Sequence, residues 1–174
     1  EPVTQSTLKV VGAFHGLSRD RANARRFPSI DPLESWSKYR STVPAAELDL
    51  ARQVLQAGHE ADQMMKVLGE EGTGLEDFVM YLKAEYLDAV YLQQDAYHPV
   101  DGATPAERQT HVFHQIAQIL AAPMAFDDKA AARAFFQTLT QTTKDWNLAP
   151  QEDPAFEALE KRIRRMLVEV TAHA

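Results

Sequence analysis

"TGLEDFVMYLKAEYLDAVY", residues 73–91, is the stretch that decides the fold. Phe78, Leu82, Tyr86 and Val90 recur every fourth position, and Tyr91 widens the stripe. That interval places them on one face of a helix. Thr73 followed by Glu76 reads as a capping box at its start. The preceding "GEEGTG", residues 69–74, ends an earlier helical pattern that begins at Pro44, a residue suited to a first turn. Leu48, Ala51, Leu55, Met65 and Leu68 carry the stripe of that earlier segment, with Gly58 as a candidate break.

The same logic extends downstream. Thr104, Pro105, Ala106 and Glu107 form a second capping box, with proline at the first helical position. Val112, Phe113, Ile116, Ile119 and Leu120 follow as its apolar face. Asp127 or Asp128 opens another helix through Ala131, Phe135, Phe136 and Leu139. Asp153-Pro154 starts the last, with Phe156, Leu159, Ile163, Met166, Leu167 and Val170 on one side. Lys161, Arg162, Arg164 and Arg165 lie on the other. Such stripes are buried only if the helices pack together, so the expected class is mainly α, a helical bundle.

The chain upstream of residue 42 reads differently. "TLKVVGAFHG", residues 7–16, has apolar groups on both parities, as in a strand covered on two sides. No second segment reads clearly as its partner. Ser18 is placed to cap a short helix over residues 19–25, and Phe27-Pro28 breaks it. The expected division is therefore a strand-and-turn part, 1–42, and a helical domain, 43–174.

Composition narrows the function. Of 174 residues, 45% are hydrophobic and 25% charged, which suits a folded globular chain. There is no cysteine, so disulfides and thiolate chemistry are excluded. The formal net charge of -7 argues against a dedicated nucleic-acid binder and gives no reason to expect attraction to anionic lipid. No apolar run is long enough to span a membrane, and no signal peptide is expected. A cytosolic protein is the plain expectation. Charge is uneven: residues 44–101 carry twelve acidic against three basic residues, whereas "RDRANARR", residues 19–26, carries four arginines. That cluster either meets an anionic group or forms a solvated helix face.

Catalytic motifs are missing. His111 and His114 are three apart on an expected helix, a spacing that allows a shared face, but no third metal ligand has a secure place beside them. His98 stands near Asp95 and Asp101 in a turn that attracts all three types. No serine sits in a G-x-S-x-G elbow, and no carboxylate pair stands out as general acid and base. There is no G-x-x-x-x-G-K-[ST], so phosphoryl transfer has no engine here. No catalytic and no metal-binding residue is expected. What remains is aromatic: Phe27 before its proline, and Tyr91 and Tyr97 flanking Gln93, Gln94 and Asp95. Such rings either stack on a planar ligand or anchor helix ends in the core.

Three blocks carry a resemblance: "EPVTQSTLKVVGAFHGL" at 1–17, "ARRFPSIDPLESWSKY" at 24–39 and "YLDAVYLQQDAYHPVD" at 86–101. In order and spacing they resemble the catalytic A-type subunit (alpha chain) of V-type and archaeal-type ATP synthases. The resemblance implies a carboxy-terminal fragment of a larger subunit. Residues 1–42 would be the last edge of its α/β nucleotide-binding core, and the rest the helical domain facing the central stalk. It further implies that Phe27, Tyr91 and Tyr97 surround an adenine ring, with Gln93 and Gln94 lining the wall. ATP or ADP with Mg would bind the full-length protein, and no cofactor would bind the fragment tightly. Partners would be the B-type subunit (beta chain) and the central stalk, in a hetero-oligomeric ring peripheral to a membrane on its cytoplasmic side. The fragment would be inactive alone, while its parent couples ATP turnover to proton or sodium transport. Here Arg26 stands where the family usually has histidine, and Asp95 where it has asparagine. The alternative is a non-catalytic helical interaction domain.

Overall fold

The computed structural model describes residues 2–171, with side chains described from Ser6 onward. Glu1 and residues 172–174, the outer ends of the two expected parts, lie outside the described residues. The elements are α1 (Pro2–Val10), β1 (Ala13–Phe14), α2 (Arg19–Asn23), β2 (Trp36–Ser37), α3 (Ala45–Leu68), α4 (Leu75–Leu87), α5 (Ala106–Ala121), α6 (Lys129–Leu148) and α7 (Pro154–Thr171). A π-helical turn, Asp88–Leu92, continues α4 without a break.

The mainly α architecture is as expected, with α3 and α4 packed as a hairpin, α5 against α3, α6 against α4, and α7 on α6. Trp146, Tyr86, Phe78, Leu87, Ile116 and Leu139 are the largest fully buried apolar side chains, and they come from α4, α5 and α6. The Tyr86 hydroxyl donates to Thr143 Oγ1 at 3.1 Å, and that hydroxyl donates to the Leu139 carbonyl at 2.9 Å, so this buried polar pair is satisfied.

The amino-terminal strand is corrected in detail. Residues expected to run extended from 7 to 16 are helical through Val10, and only Ala13–Phe14 pair as a strand. The partner is β2, antiparallel, with Ala13 opposite Ser37 and Phe14 opposite Trp36. A helix satisfies its own backbone groups, whereas a long strand with a two-residue neighbour would leave most of them unpaired. The 11–40 loop is then tied by backbone bonds from Ser18 to Ser29, Asp31 to Gly16 and Lys38 to Gly12, all 2.7–2.8 Å.

Three local expectations also change. Gly58 does not break α3; it is buried where α3 meets α4, and a Cβ there would lie 2.2 Å from that of Ala84. Thr73 and Thr104 do not cap. Each turns its hydroxyl back onto an upstream carbonyl, Gly69 in one case and Val100 in the other, and the caps fall on Gly74 and Pro105. By contrast Ser18 caps α2 and Asp128 caps α6 through their side-chain oxygens, as the sequence predicts. Gly69 ends α3 at φ 77°, a conformation that favours glycine.

Candidate functional site

The expected ring-bearing corner is built by two segments that meet. On one side, Arg25 adopts φ 56° and the Phe27-Pro28 peptide is cis. On the other, the π turn ends with the Gln93 N–H donating to the Asp88 carbonyl at 3.0 Å. One more residue per turn than an α-helix swings the following backbone outward. The two segments are then joined directly, because the Gln94 N–H donates to the Phe27 carbonyl at 3.0 Å.

The rest of the corner is fixed by its own polar residues. The Asp95 N–H donates to Asp101 Oδ2 at 2.6 Å, and the Tyr97 N–H donates to Asp95 Oδ1 at 2.9 Å. His98 Nδ1 accepts from the Val100 N–H at 3.3 Å, so this histidine serves the turn. These are local aspartate and histidine turns of the kind that fix a loop without regular structure.

Phe27, Gln93, Gln94 and Tyr97 line one cleft of about 540 Å³, together with Arg25, Lys144, Asn147 and Leu148. Phe27 is 55% exposed and Tyr97 99% exposed, so both rings present faces to solvent. Tyr91 does not join them. Its ring lies 4.6 Å from that of Phe113, edge-on, and its hydroxyl accepts from Gln109 Nε2 at 2.9 Å. Burial pushes the Tyr91 phenol up from its ordinary value. Tyr91 lines two neighbouring cavities instead, and shares Gln94 with them. Lys144, Asn147 and Leu148 are not singled out by the sequence. Their spacing of three and four on α6 is the available signal.

Two arginines of the cluster, Arg21 and Arg26, meet carboxylates, whereas Arg19 and Arg25 stay exposed. Arg26 bonds Glu85 through both guanidinium ends, at 2.9 and 2.7 Å, and Asp88 at 2.6 Å. Arg21 Nη1 lies 2.8 Å from Asp88 Oδ1. The bond to Glu85 raises the Arg26 guanidinium further above its already high range, against a smaller opposing effect of burial.

His111 and His114 face different helices. His111 Nε2 pairs with Glu160 of α7 at 3.0 Å and His114 Nδ1 with Glu47 of α3 at 2.5 Å. Among the described residues no group of three or more histidine, aspartate or glutamate side chains is placed to hold a metal. Among them also, no helix is long and apolar enough to cross a membrane.

The described residues thus form a helical bundle in which the aromatic corner follows directly on the α3–α4 hairpin. Residues 48–125 match the family described as the C-terminal domain of V and A type ATP synthase. A solved ATP synthase subunit, NeqB from Nanoarcheaum equitans, shares the fold with TM-score 0.58 at 22% identity, over 70% of this chain and 32% of that one. The chain is 49% identical over 169 residues to the V-type ATP synthase alpha chain of Treponema denticola, covering 97% of itself and 29% of that protein. It is 50% identical to alpha chain 1 of Treponema pallidum and 49% to the alpha chain of Borrelia duttonii, each over 167 residues. The chain belongs to the V-type ATP synthase alpha-chain family. It spans under a third of the length of these relatives, 28–29% of each.

Proposed function

We propose that this chain is the carboxy-terminal part of a rotary ATPase catalytic subunit and supplies the adenine-side wall of its nucleotide site. Residues 1–42 are the last edge of the nucleotide-binding core, and 43–174 the helical domain. The observation that carries the proposal is the Gln94-to-Phe27 backbone bond, which joins the Phe27 segment to the glutamine corner. The cleft volume falls within the roughly 300–1,000 Å³ of small-molecule sites. Phe27 and Tyr97 offer flat faces to a base, and Gln93 and Gln94 offer amides to its edge. Tyr91 supports the corner from the core side, through Phe113 and Gln109.

Phosphate and Mg chemistry belongs to residues outside this chain, since the sequence has no P-loop. In the parent, turnover of ATP would be coupled to proton or sodium transport, with the B-type subunit and the central stalk as partners. The α3–α4 turn suits the stalk, because Met64, Val67 and Leu68 are 41%, 83% and 58% exposed there. Val67→Asp should weaken stalk association in a pull-down of purified components while leaving the melting temperature unchanged.

The nucleotide claim is tested by titrating MgADP into the full-length protein. Tyr97→Ala should weaken binding about tenfold, the scale of roughly 1–3 kcal/mol for one stacked base, with the circular dichroism spectrum retained. Equal affinity of variant and wild type would remove the adenine wall from the account.

A further inference from the structure

Arg26 lies one residue before Phe27 and reaches away from the cleft, onto α4. Its two bonds to Glu85 are parallel, Nη1 to Oε1 and Nη2 to Oε2, and Nη1 also meets Asp88 Oδ2. Side-chain exposure is 37% at Glu85 and 6% at Asp88, so the ion pair runs from the rim inward. A bidentate guanidinium fixes orientation as well as charge. Arg25, one residue earlier, holds a left-handed φ that a side-chain-bearing residue keeps only with support from its surroundings.

The Phe27 ring is more than half exposed, so packing alone does little to place it. Its pose is set by what holds its backbone: the Arg26 fork on one side and the Gln94 bond on the other. Asp88 serves both. Its carboxylate accepts from Arg26 and forms an ion pair with Arg21, and its carbonyl closes the π turn that delivers Gln93 and Gln94. Both halves of the cleft are therefore referenced to the same residue of the bundle.

We propose that Arg26 is a positioning residue for the base cleft, its fork on Glu85 and Asp88 setting the pose of the Phe27 ring. Base affinity then depends on an ion pair that never touches the base. The proposal rests on the adenine-wall function above. An arginine that merely docks the amino-terminal segment makes a different prediction, because its loss would act whether or not Phe27 has a ring.

MgADP is titrated into the full-length protein carrying Arg26→Met, Phe27→Ala or both, with thermal melting in parallel. Arg26→Met alone should weaken binding about tenfold, the scale of one stacked base. In the Phe27→Ala background it should add about twofold or less, since the two act through one ring. Arg26→Lys, which keeps the charge and loses the fork, should fall between wild type and Arg26→Met. If Arg26→Met does not fold, Glu85→Gln carries the same comparison. Equal losses in both backgrounds overturn the proposal. So does wild-type affinity in Arg26→Met and Glu85→Gln while Phe27→Ala binds weakly, a result that leaves the adenine wall standing. Unchanged affinity in Phe27→Ala overturns the wall itself, and the positioning role with it.

Discussion

Lys83 is buried to 7% exposure and ends on two carbonyls, Leu120 and Ala122, each at 2.8 Å. These are among the orphan acceptors at the end of α5, where the helix dipole also favours a cation. Arg108 does the same for α6, donating to the Asn147 and Ala149 carbonyls at 2.9 Å with its guanidinium 4.9 Å from the Phe156 ring centroid. Lys83→Met keeps the side-chain length and leaves both carbonyls without that donor. It should lower unfolding stability by about 2–3 kcal/mol, read as an earlier urea midpoint at unchanged slope. Gly58→Ala should also destabilise. Helix propensity favours alanine by about 1 kcal/mol, but a Cβ 2.2 Å from that of Ala84 forces α3 and α4 apart at about 1–3 kcal/mol. The same substitution at an exposed helix position would have the opposite sign, which is the control for the midpoint measurement.

Among the long helices α3 to α7, α7 is the least anchored by burial, since only Phe156 and Ile163 of its residues are buried. Phe156 stacks 5.1 Å from Trp146, centroid to centroid, and holds the start of the helix. Phe156→Ala should therefore speed amide exchange across α7 while α4 and α5 stay protected, and hydrogen exchange resolved by segment would show this. A uniform rise across all helices would instead mean that α7 opens only with the whole bundle. The helices of the bundle were legible because Phe78, Tyr86, Val112, Ile116 and Phe136 repeat at helical spacing, and burial selects that spacing. The ends were less so. Thr73 and Thr104 satisfy the cap pattern, yet a threonine hydroxyl can equally donate backwards, and a four-residue pattern does not encode that choice. The 7–16 segment is rich in β-branched residues, but which neighbours it finds is a tertiary fact. At the cleft, Phe27, Gln93, Gln94 and Tyr97 were legible by resemblance. The α6 contributors were not, because Lys144 and Asn147 look like ordinary residues of a helix surface.

At the scale of the whole molecule, alkaline pH tests the core. Burial pushes the Tyr86 phenol far above its ordinary 10.0, and the Thr143 bond offsets only part of this. Burial raises Tyr81 and Tyr91 as well. A phenol raised on folding contributes stability in full below its unfolded value and loses it as pH climbs toward the folded one. Lys83 works in the other direction: burial lowers it below 10.5, so stability rises as pH approaches that value. Urea unfolding at about pH 9, 10 and 11 should show a net fall above 10. Tyr86→Phe should flatten the fall, and Lys83→Met should steepen it. One further consequence concerns the length of the chain. The π turn at Asp88–Leu92 contains a residue that an ordinary helix would not need. Removing one residue there would let α4 run on regularly and rotate everything after it by about 100° around the helix axis. The glutamine corner would then turn away from Phe27 although every side chain named in it survived. A single extra amino acid thus works as a phase setting between the bundle and the loop it presents, and relatives that keep the corner should tolerate exchanges of type at Ala89 and Leu92 far better than a change in the number of residues across 88–92.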